Sequence, residues 1–152
     1  MTRILFVCHG NICRSPMAEF VMKELARRRG LQVEVASAGT SMEEYGNPVH
    51  PGTLRVLSRE GIPSESRRAR RVRPSDYEAY DFIIGMDKPN MYVLNELYDD
   101  RRHKVRMLLS FCGEDRSVAD PWYTGDFDAT YRDVLRGCTA LCDMLEGEKP
   151  NG

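Results

Sequence analysis

Apolar residues along this chain cluster in short runs, and each run is followed by a stretch whose apolar residues lie three and four positions apart. Four segments have the apolar content typical of buried strands: residues 3–8, 32–37, 81–86 and 104–109. Five segments have helical features: residues 15–29, 50–61, 74–78, 89–98 and 131–145. A strand followed by a helix, repeated about four times, predicts an α/β fold whose parallel sheet lies between layers of helices.

Local signals predict where these helices begin and end. Ser15 and Pro16 are typical of an N-cap and a first helical residue, and Gly30 is typical of the position after a helix end. Ser75 and Glu78 have the spacing of a capping box, which predicts a short helix ahead of the third strand.

The composition is that of an ordinary globular protein, with 152 residues of which 41% are hydrophobic and 30% charged. This length predicts a single domain over residues 1–152. A net charge of −1 gives no support for a nucleic-acid or membrane partner, and the apolar runs are too short to span a membrane. An N-terminus without signal-peptide features predicts a cytoplasmic protein, a monomer by default, whose five cysteines are mostly reduced.

Arginines are concentrated in one segment, RRARRVR at residues 67–73, with five arginines in seven residues. One interpretation is a solvated face that balances the many acidic residues. The other is a docking patch for acidic or phosphorylated partners.

The stretch FVCHGNICRSP, residues 6–16, joins the first predicted strand to the first helix. Ligands of doubly wound folds bind where strands turn into helices, and helix N-termini attract anions. Gly10 and Asn11 tolerate positive φ, so the loop can curl with its N–H groups inward, while Arg14 offers a fork that matches two phosphate oxygens. Cys8 then lies at the floor under positive potential, which favours its thiolate, a nucleophile beneath a bound phosphate.

Other chemistries have weaker support in the sequence. The nucleotide-binding pattern Gly-x4-Gly-Lys-Ser/Thr does not occur. A zinc site is disfavoured because the chain offers only three histidines as nitrogen ligands. We therefore expect neither a metal nor a cofactor.

A second candidate stretch, ADPWYTGDFDATY, occupies residues 119–131. Pro121 restricts Asp120 to an extended conformation, and Asp120 could supply the proton that a phosphoryl leaving group needs. Trp122 and Tyr123 are large for a loop unless they line a cleft. The alternative is that Trp122 packs against the last helix and that Asp120 is simply polar.

Together these stretches resemble the low-molecular-weight protein tyrosine phosphatases. VCHGNICRSPMAE (7–19), SAG (37–39), MD (86–87) and DPWYTGDFDATY (120–131) match that family's signatures in order and along essentially the whole chain. The resemblance implies a flavodoxin-like three-layer fold, the phosphotyrosine phosphatase I fold, with a four-stranded parallel sheet in the order 2-1-3-4. It also implies metal-free hydrolysis of phosphotyrosine in proteins.

The resemblance assigns roles to individual residues. Cys8 is the nucleophile that forms a phosphocysteine, Arg14 binds the phosphoryl oxygens, and Asp120 is the general acid and then the general base. Ser15 donates its hydroxyl to the Cys8 sulfur, and Asn11 holds the loop through Ser37.

Further positions in and around the loop are implied to set substrate choice and redox behaviour. Trp122 and Tyr123 match the aromatic wall of a cleft deep enough for phosphotyrosine, and Ile12 favours tyrosine over arginine. His9 occupies a variable loop position that tunes specificity. Cys13 is either a small buried loop residue or a partner that captures oxidised Cys8 in a reversible disulfide.

Arg67 departs from the animal-type pattern, which has a histidine there in a network with the aspartate that matches Asp87. Arg67 is expected either to pair with Asp87 or to point outward, and the resemblance gives it no role. Two alternative functions remain on the same sequence. One is a thiol-dependent arsenate reductase, which would need two further cysteines on a mobile segment, whereas Cys138 and Cys142 fall on a predicted helix. The other is a non-catalytic phosphoprotein-binding module.

Overall fold

The computed structural model describes residues 1–147, so the last five residues of the predicted domain lie outside the described residues. The strands are β1 (Thr2–Cys8), β2 (Val33–Gly39), β3 (Phe82–Gly85) and β4 (Val105–Met107). The helices are α1 (Arg14–Arg29), α2 (Pro51–Arg59), α3 (Asp76–Ala79), α4 (Lys88–Leu97), α5 (Pro121–Thr124) and α6 (Phe127–Gly147), with a 3-10 helix at Leu108–Cys112.

The four strands form one parallel sheet in the order β2-β1-β3-β4. The strand β1 lies centrally, pairing with β2 through Cys8 opposite Gly39 and with β3 through Val7 opposite Gly85. This arrangement confirms the predicted α/β fold and the strand order 2-1-3-4. Because all strands run the same way, the segments that follow them meet at one edge of the sheet.

Both faces of the sheet are covered, since successive residues of β1 are buried in two different hydrophobic clusters. Ile4 and Phe6 pack with residues of α1 and α6, whereas Leu5 and Val7 pack with β3, β4 and α4. A strand buried on both faces requires the continuous apolar run that the sequence shows. Within residues 1–147, no helix combines the length and apolarity needed to cross a bilayer.

Some predicted element boundaries were wrong. The strand expected over 104–109 ends at Met107, and Leu108 and Leu109 begin the 3-10 helix instead. Both leucines are fully buried, so an apolar run could not distinguish the two conformations.

The helix starts also differ in detail from the sequence prediction. The first helix begins at Arg14, which places Ser15 inside the first turn rather than at the N-cap. Ser75 does hold the cap position of α3, but in the described chain its side chain makes no capping bond, so the capping-box prediction was wrong. The short helix α5 was not predicted.

Candidate active site

A cleft of about 440 Å³ opens at the carboxyl edge of the sheet. The loop between β1 and α1 forms its floor, contributing Cys8, His9, Gly10, Ile12, Cys13 and Arg14. Its walls come from residues 40–44, from the start of α4 and from the α5 segment, which contributes Asp120, Trp122 and Tyr123. The sequence stretches that were singled out separately therefore line one cavity.

The Cys8 sulfur, buried at the end of β1, is held by two polar groups. The backbone N–H of Asn11 donates to Cys8 Sγ over 3.3 Å, and Ser15 Oγ lies 3.0 Å from the same sulfur. Asn11 Nδ2 donates to Ser15 Oγ over 2.9 Å, so the Ser15 hydroxyl proton can point to the sulfur at 3.0 Å or to the more distant Ala38 carbonyl at 3.5 Å. These contacts orient the sulfur at the floor of the cleft.

Asn11 makes the turn that curls the loop. Its φ of 61° is left-handed, a conformation that asparagine tolerates better than most residues, whereas Gly10, which also tolerates positive φ, does not adopt it. The side chain of Asn11 is buried, and its Nδ2 also donates to Ser37 Oγ at the end of β2 over 3.0 Å. Strain at Asn11 is thus held in place by bonds to the neighbouring strand.

Arg14 brings the acidic residues of two other segments to the loop. Its guanidinium is 3% exposed and lies 2.8 Å from Asp87 Oδ2 and 3.3 Å from Asp120 Oδ2. A further N–H donates to the carbonyl of Val118 over 3.3 Å. Asp87 directly follows the buried strand region of β3, and this position at the carboxyl edge is the signal that could have added it to the candidate site.

Asp120 stands at the N-cap of α5 and accepts the N–H of Trp122 over 3.0 Å. Trp122 and Tyr123 project into solvent at the rim, with 73% and 85% of their surface exposed. The alternative in which Trp122 packs against the last helix is therefore wrong.

Cys13, in the loop between β1 and α1, is partly buried. Burial raises its pKa to about 12, and the charges of Cys8 and Asp120 act in the same direction. Cys13 is accordingly a neutral thiol at physiological pH. His9, on the rim, lies 3.2 Å from Glu43 Oε2 in an exposed contact.

Arg67 was missed, and both expectations for it were wrong. Its guanidinium points inward to Asn11, while Asp87 is bound by Arg14 instead. Arg70 is also engaged, through two bonds of 3.0 and 3.2 Å to the buried Asp76 carboxylate. The interpretation of segment 67–73 as a solvated face is therefore wrong for at least two of its five arginines, Arg67 and Arg70.

Comparison with known proteins identifies the family. The family model for low molecular weight phosphotyrosine protein phosphatase matches residues 3–151. The chain belongs to the low-molecular-weight protein tyrosine phosphatases. A relative named low molecular weight protein-tyrosine-phosphatase YfkJ, from Bacillus subtilis (strain 168), is 39% identical over 156 residues, covering 98% of this chain and 99% of the relative. Staphylococcus aureus (strain MRSA252) PtpA is 35% identical over 147 residues, covering 95% and 94%.

Solved structures of this phosphatase family share the fold closely. The crystal structure of Bacillus subtilis YfkJ has a TM-score of 0.94 at 37% identity and covers 99% of this chain and 98% of that one. The crystal structure of DARP, drosophila arginine phosphatase, has a TM-score of 0.88 at 28% identity, covering 98% and 100%. The low-molecular-weight phosphatase scaffold therefore includes a protein whose name specifies arginine rather than tyrosine.

Proposed function

We propose that this phosphatase hydrolyses phosphotyrosine in proteins through a phosphocysteine at Cys8, with Arg14 binding the phosphoryl group and Asp120 moving the proton. One observation supports this most strongly: the Arg14 guanidinium, buried at the start of α1, reaches the Asp120 carboxylate while both line the cleft above Cys8. A nucleophile, an anion-binding fork and an acid thus share one cavity.

Phosphate binding follows from the charge distribution of the loop. The phosphoryl dianion would meet inward N–H groups, the N-terminus of α1 and the Arg14 guanidinium, which together replace its hydration shell. Asp87 holds one edge of Arg14, which orients the guanidinium before substrate arrives. Substrate must therefore compete with Asp120 for Arg14, which frees the Asp120 carboxyl to approach the leaving group.

The chemistry takes two displacements. The Cys8 thiolate attacks phosphorus, a sulfur–phosphorus bond forms, and the bond to the tyrosine oxygen breaks as protonated Asp120 gives that oxygen its proton. Ionised Asp120 then takes a proton from water, which attacks phosphorus and returns the electron pair to Cys8 as thiolate. Inorganic phosphate leaves, and Asp120 is again protonated.

The side chains at the rim of the cleft favour an aryl phosphate as the substrate. Trp122 and Tyr123 project beside the opening, and Ile12 lines the floor with an apolar side chain. A phosphotyrosine ring can span from these aromatic groups to Cys8, whereas phosphoserine is too short to reach the floor. Phosphotyrosine-bearing proteins are thus the proposed partners. The five free cysteines support a reducing compartment, for which we propose the cytoplasm, and a monomer as the working assembly.

The alternatives have less support. An arsenate reductase would need two mobile cysteines, but Cys138 and Cys142 are buried in α6 against Ala18 and Met22. A module that only binds phosphoproteins would not need an acid within reach of the Arg14 guanidinium.

Oxidation adds a proposed second layer of control. Peroxide converts the Cys8 thiolate to a sulfenic acid, and the Cys13 sulfur attacks that sulfur as its thiol loses a proton, so that a disulfide forms and the sulfenic hydroxyl leaves as water. A thiol reductant then restores both cysteines.

The test uses Cys8→Ser and Asp120→Ala, with Cys112→Ser and Asp126→Ala as matched controls outside these roles. Cys8→Ser is expected to abolish turnover of phosphotyrosine and p-nitrophenyl phosphate while still binding vanadate. Asp120→Ala should slow the hydrolysis of phosphotyrosine by about a hundredfold or more. It should slow the hydrolysis of p-nitrophenyl phosphate far less, because nitrophenolate leaves without a proton. An active Cys8→Ser protein would contradict the mechanism, and equal slowing of both substrates would remove Asp120 as the acid.

A further inference from the structure

Arg67 lies in the segment between α2 and α3, and its side chain reaches beneath the active-site loop. Its Nη2 donates to Asn11 Oδ1 over 2.5 Å, and its Nη1 donates to the Asn11 carbonyl over 3.2 Å. Nη2 also donates to the Ser37 carbonyl over a longer 3.5 Å. Both terminal nitrogens of the arginine fork thus bind the one residue that makes the left-handed turn under Cys8.

These bonds fix which way the Asn11 amide faces. Its Oδ1 receives only donors, Arg67 Nη2 and the backbone N–H of Arg70 at 3.1 Å. Its Nδ2 faces the hydroxyl oxygens of Ser15 and Ser37, which accept. The reverse orientation would set N–H against N–H at both Arg67 and Arg70, so Arg67 and the Arg70 N–H together determine that Ser15 accepts from Asn11. The Ser15 hydroxyl proton then faces the Cys8 sulfur at 3.0 Å, with the Ala38 carbonyl as a more distant acceptor at 3.5 Å.

Arg67 also faces a buried negative charge. Glu19 in α1 is buried, accepts the Ser37 hydroxyl over 2.6 Å, and lies 3.5 Å from Arg67 Nε and 2.9 Å from Lys23 Nζ. Lys23 contacts Oε2 of Glu19 and is about one-third exposed, whereas Arg67 faces Oε1, the oxygen that accepts from Ser37. Without Arg67 the negative charge on the Oε1 side would oppose both a thiolate and a bound phosphate dianion. The charged groups around Arg67 are therefore Glu19 from α1, the Cys8 sulfur from β1 and Arg70 from its own segment.

We propose that Arg67 is a positioning residue of the phosphatase site, which orients the Asn11 amide and cancels the charge of Glu19 beneath the anion cradle. The inference rests on the proposed function. It assigns a role in catalysis to one arginine of segment 67–73 without any contact between Arg67 and substrate.

The experiment compares Arg67→Gln, Arg67→Lys and the double variant Arg67→Gln/Glu19→Gln, with Arg68→Gln as the control. Arg68 is exposed in the same segment and donates to the Gly46 carbonyl, away from the loop. The readouts are the inhibition constant of inorganic phosphate and kcat/KM for p-nitrophenyl phosphate, with circular dichroism melts to check folding.

Arg67→Gln is expected to weaken phosphate inhibition and to lower kcat/KM by about tenfold to a hundredfold, because the charge-assisted contact with Asn11 is lost and Glu19 keeps only Lys23 as a cationic partner. Arg67→Lys should lose clearly less phosphate inhibition and less kcat/KM than Arg67→Gln, since the positive charge stays. Adding Glu19→Gln should bring phosphate inhibition back to within about threefold of the original protein, since a neutral pair replaces the ion pair. Arg68→Gln should match the original protein.

Two results would overturn the inference. One is an Arg67→Gln protein that folds and binds phosphate as the original does. The other is a double variant as weak as Arg67→Gln or weaker, which indicates a purely structural arginine. Should Arg67→Gln fail to fold, Arg67→Lys and the double variant still decide, because the first keeps a positive charge beside Glu19 and the second removes the Glu19 charge. Loss of the proposed function itself would look different, since the original protein would then not turn over any aryl phosphate.

Discussion

Asn11 illustrates how one residue can serve conformation and chemistry together. A non-glycine residue in the left-handed region costs on the order of 1 kcal/mol, which asparagine reduces and the surrounding hydrogen bonds offset. Those bonds run to Ser15, Ser37, Arg67 and Arg70 from three parts of the chain. The strain is therefore maintained by the whole fold and places an N–H against the Cys8 sulfur.

Labelling of Cys13 should rise more steeply with pH above neutrality than that of a cysteine already ionised at pH 7. Its pKa of about 12 lies above its ordinary value, so the thiol stays protonated at neutral pH and the thiolate fraction grows about tenfold per pH unit up to that value. Iodoacetamide at pH 7 is expected to modify Cys8 and to spare Cys13. Peptide mass spectrometry between pH 7 and 10 checks the trend, and labelling of Cys13 at pH 7 as fast as Cys8 would contradict it.

At the scale of elements, the contact between α6 and the 3-10 helix depends on a missing side chain. A Cβ at Gly137 would lie 2.4 Å from Leu108 Cγ and 2.8 Å from its Cδ1, far inside contact distance. Glycine in the middle of a long helix costs about 1 kcal/mol relative to alanine, so the close approach of the two elements is the reason for its presence.

Gly137→Ala is therefore expected to destabilise the protein even though alanine is the better helix former. Overpacking against a fully buried leucine costs about 1–3 kcal/mol, which exceeds the helix-propensity gain of about 1 kcal/mol. Gly147→Ala is the control, because a Cβ at that position would meet no atom of residues 1–147 within 4 Å. Urea unfolding measures the free energy of unfolding of both variants. A Gly137→Ala protein more stable than the original would refute the packing argument.

The elements that the sequence predicted best are those with a periodic apolar pattern. The central strand and the long helices had clear patterns, because burial of β1 on both faces and of one stripe of α6 restricts their residues. The end of β4 and the helix α5 were not predictable in this way. Leu108 and Leu109 are buried in either conformation, and the α5 helix is a single turn capped by Asp120.

For the molecule as a whole, the parallel sheet gathers residues that are far apart in sequence. Cys8 ends β1, Ser37 lies near the end of β2, and Asp87 follows β3. The sequence analysis placed Cys8 and Asp120 together through motifs, but it could not place Arg67. Its contacts with Asn11 span 56 residues, and a run of arginines carries no signal of which one points inward.

Acid stability of the molecule should depend on one carboxylate that joins α6 to the loop ahead of Asp120. Asp133 is buried, and burial alone would raise its pKa, but bonds from Arg116 at 2.7 and 3.1 Å and from the Ala119 N–H at 3.0 Å lower the pKa below its usual value. A depressed pKa in the folded state contributes stability above the unfolded pKa of about 3.9, and this contribution is lost as the pH falls through the folded value.

Asp133→Asn should accordingly lower the free energy of unfolding by about 1–3 kcal/mol at pH 7, and its difference from the original protein should shrink below about pH 4. Asp143→Asn, on the same helix with an exposed ion pair to Arg29, is expected to change stability by less than about 1 kcal/mol. Urea titrations at pH 7 and pH 3.5 measure both variants. A pH-independent loss in Asp133→Asn would show that charge at this position does not matter.

The exposed indole of Trp122 has a consequence for how this protein can be observed. It is the only tryptophan of the chain, and it stands at the cleft rim with most of its surface already in water. Intrinsic tryptophan emission will therefore report on the rim and change little when the core melts. The same fluorophore offers a label-free signal for ligands that enter the cleft, in a protein whose unfolding is better followed by its backbone.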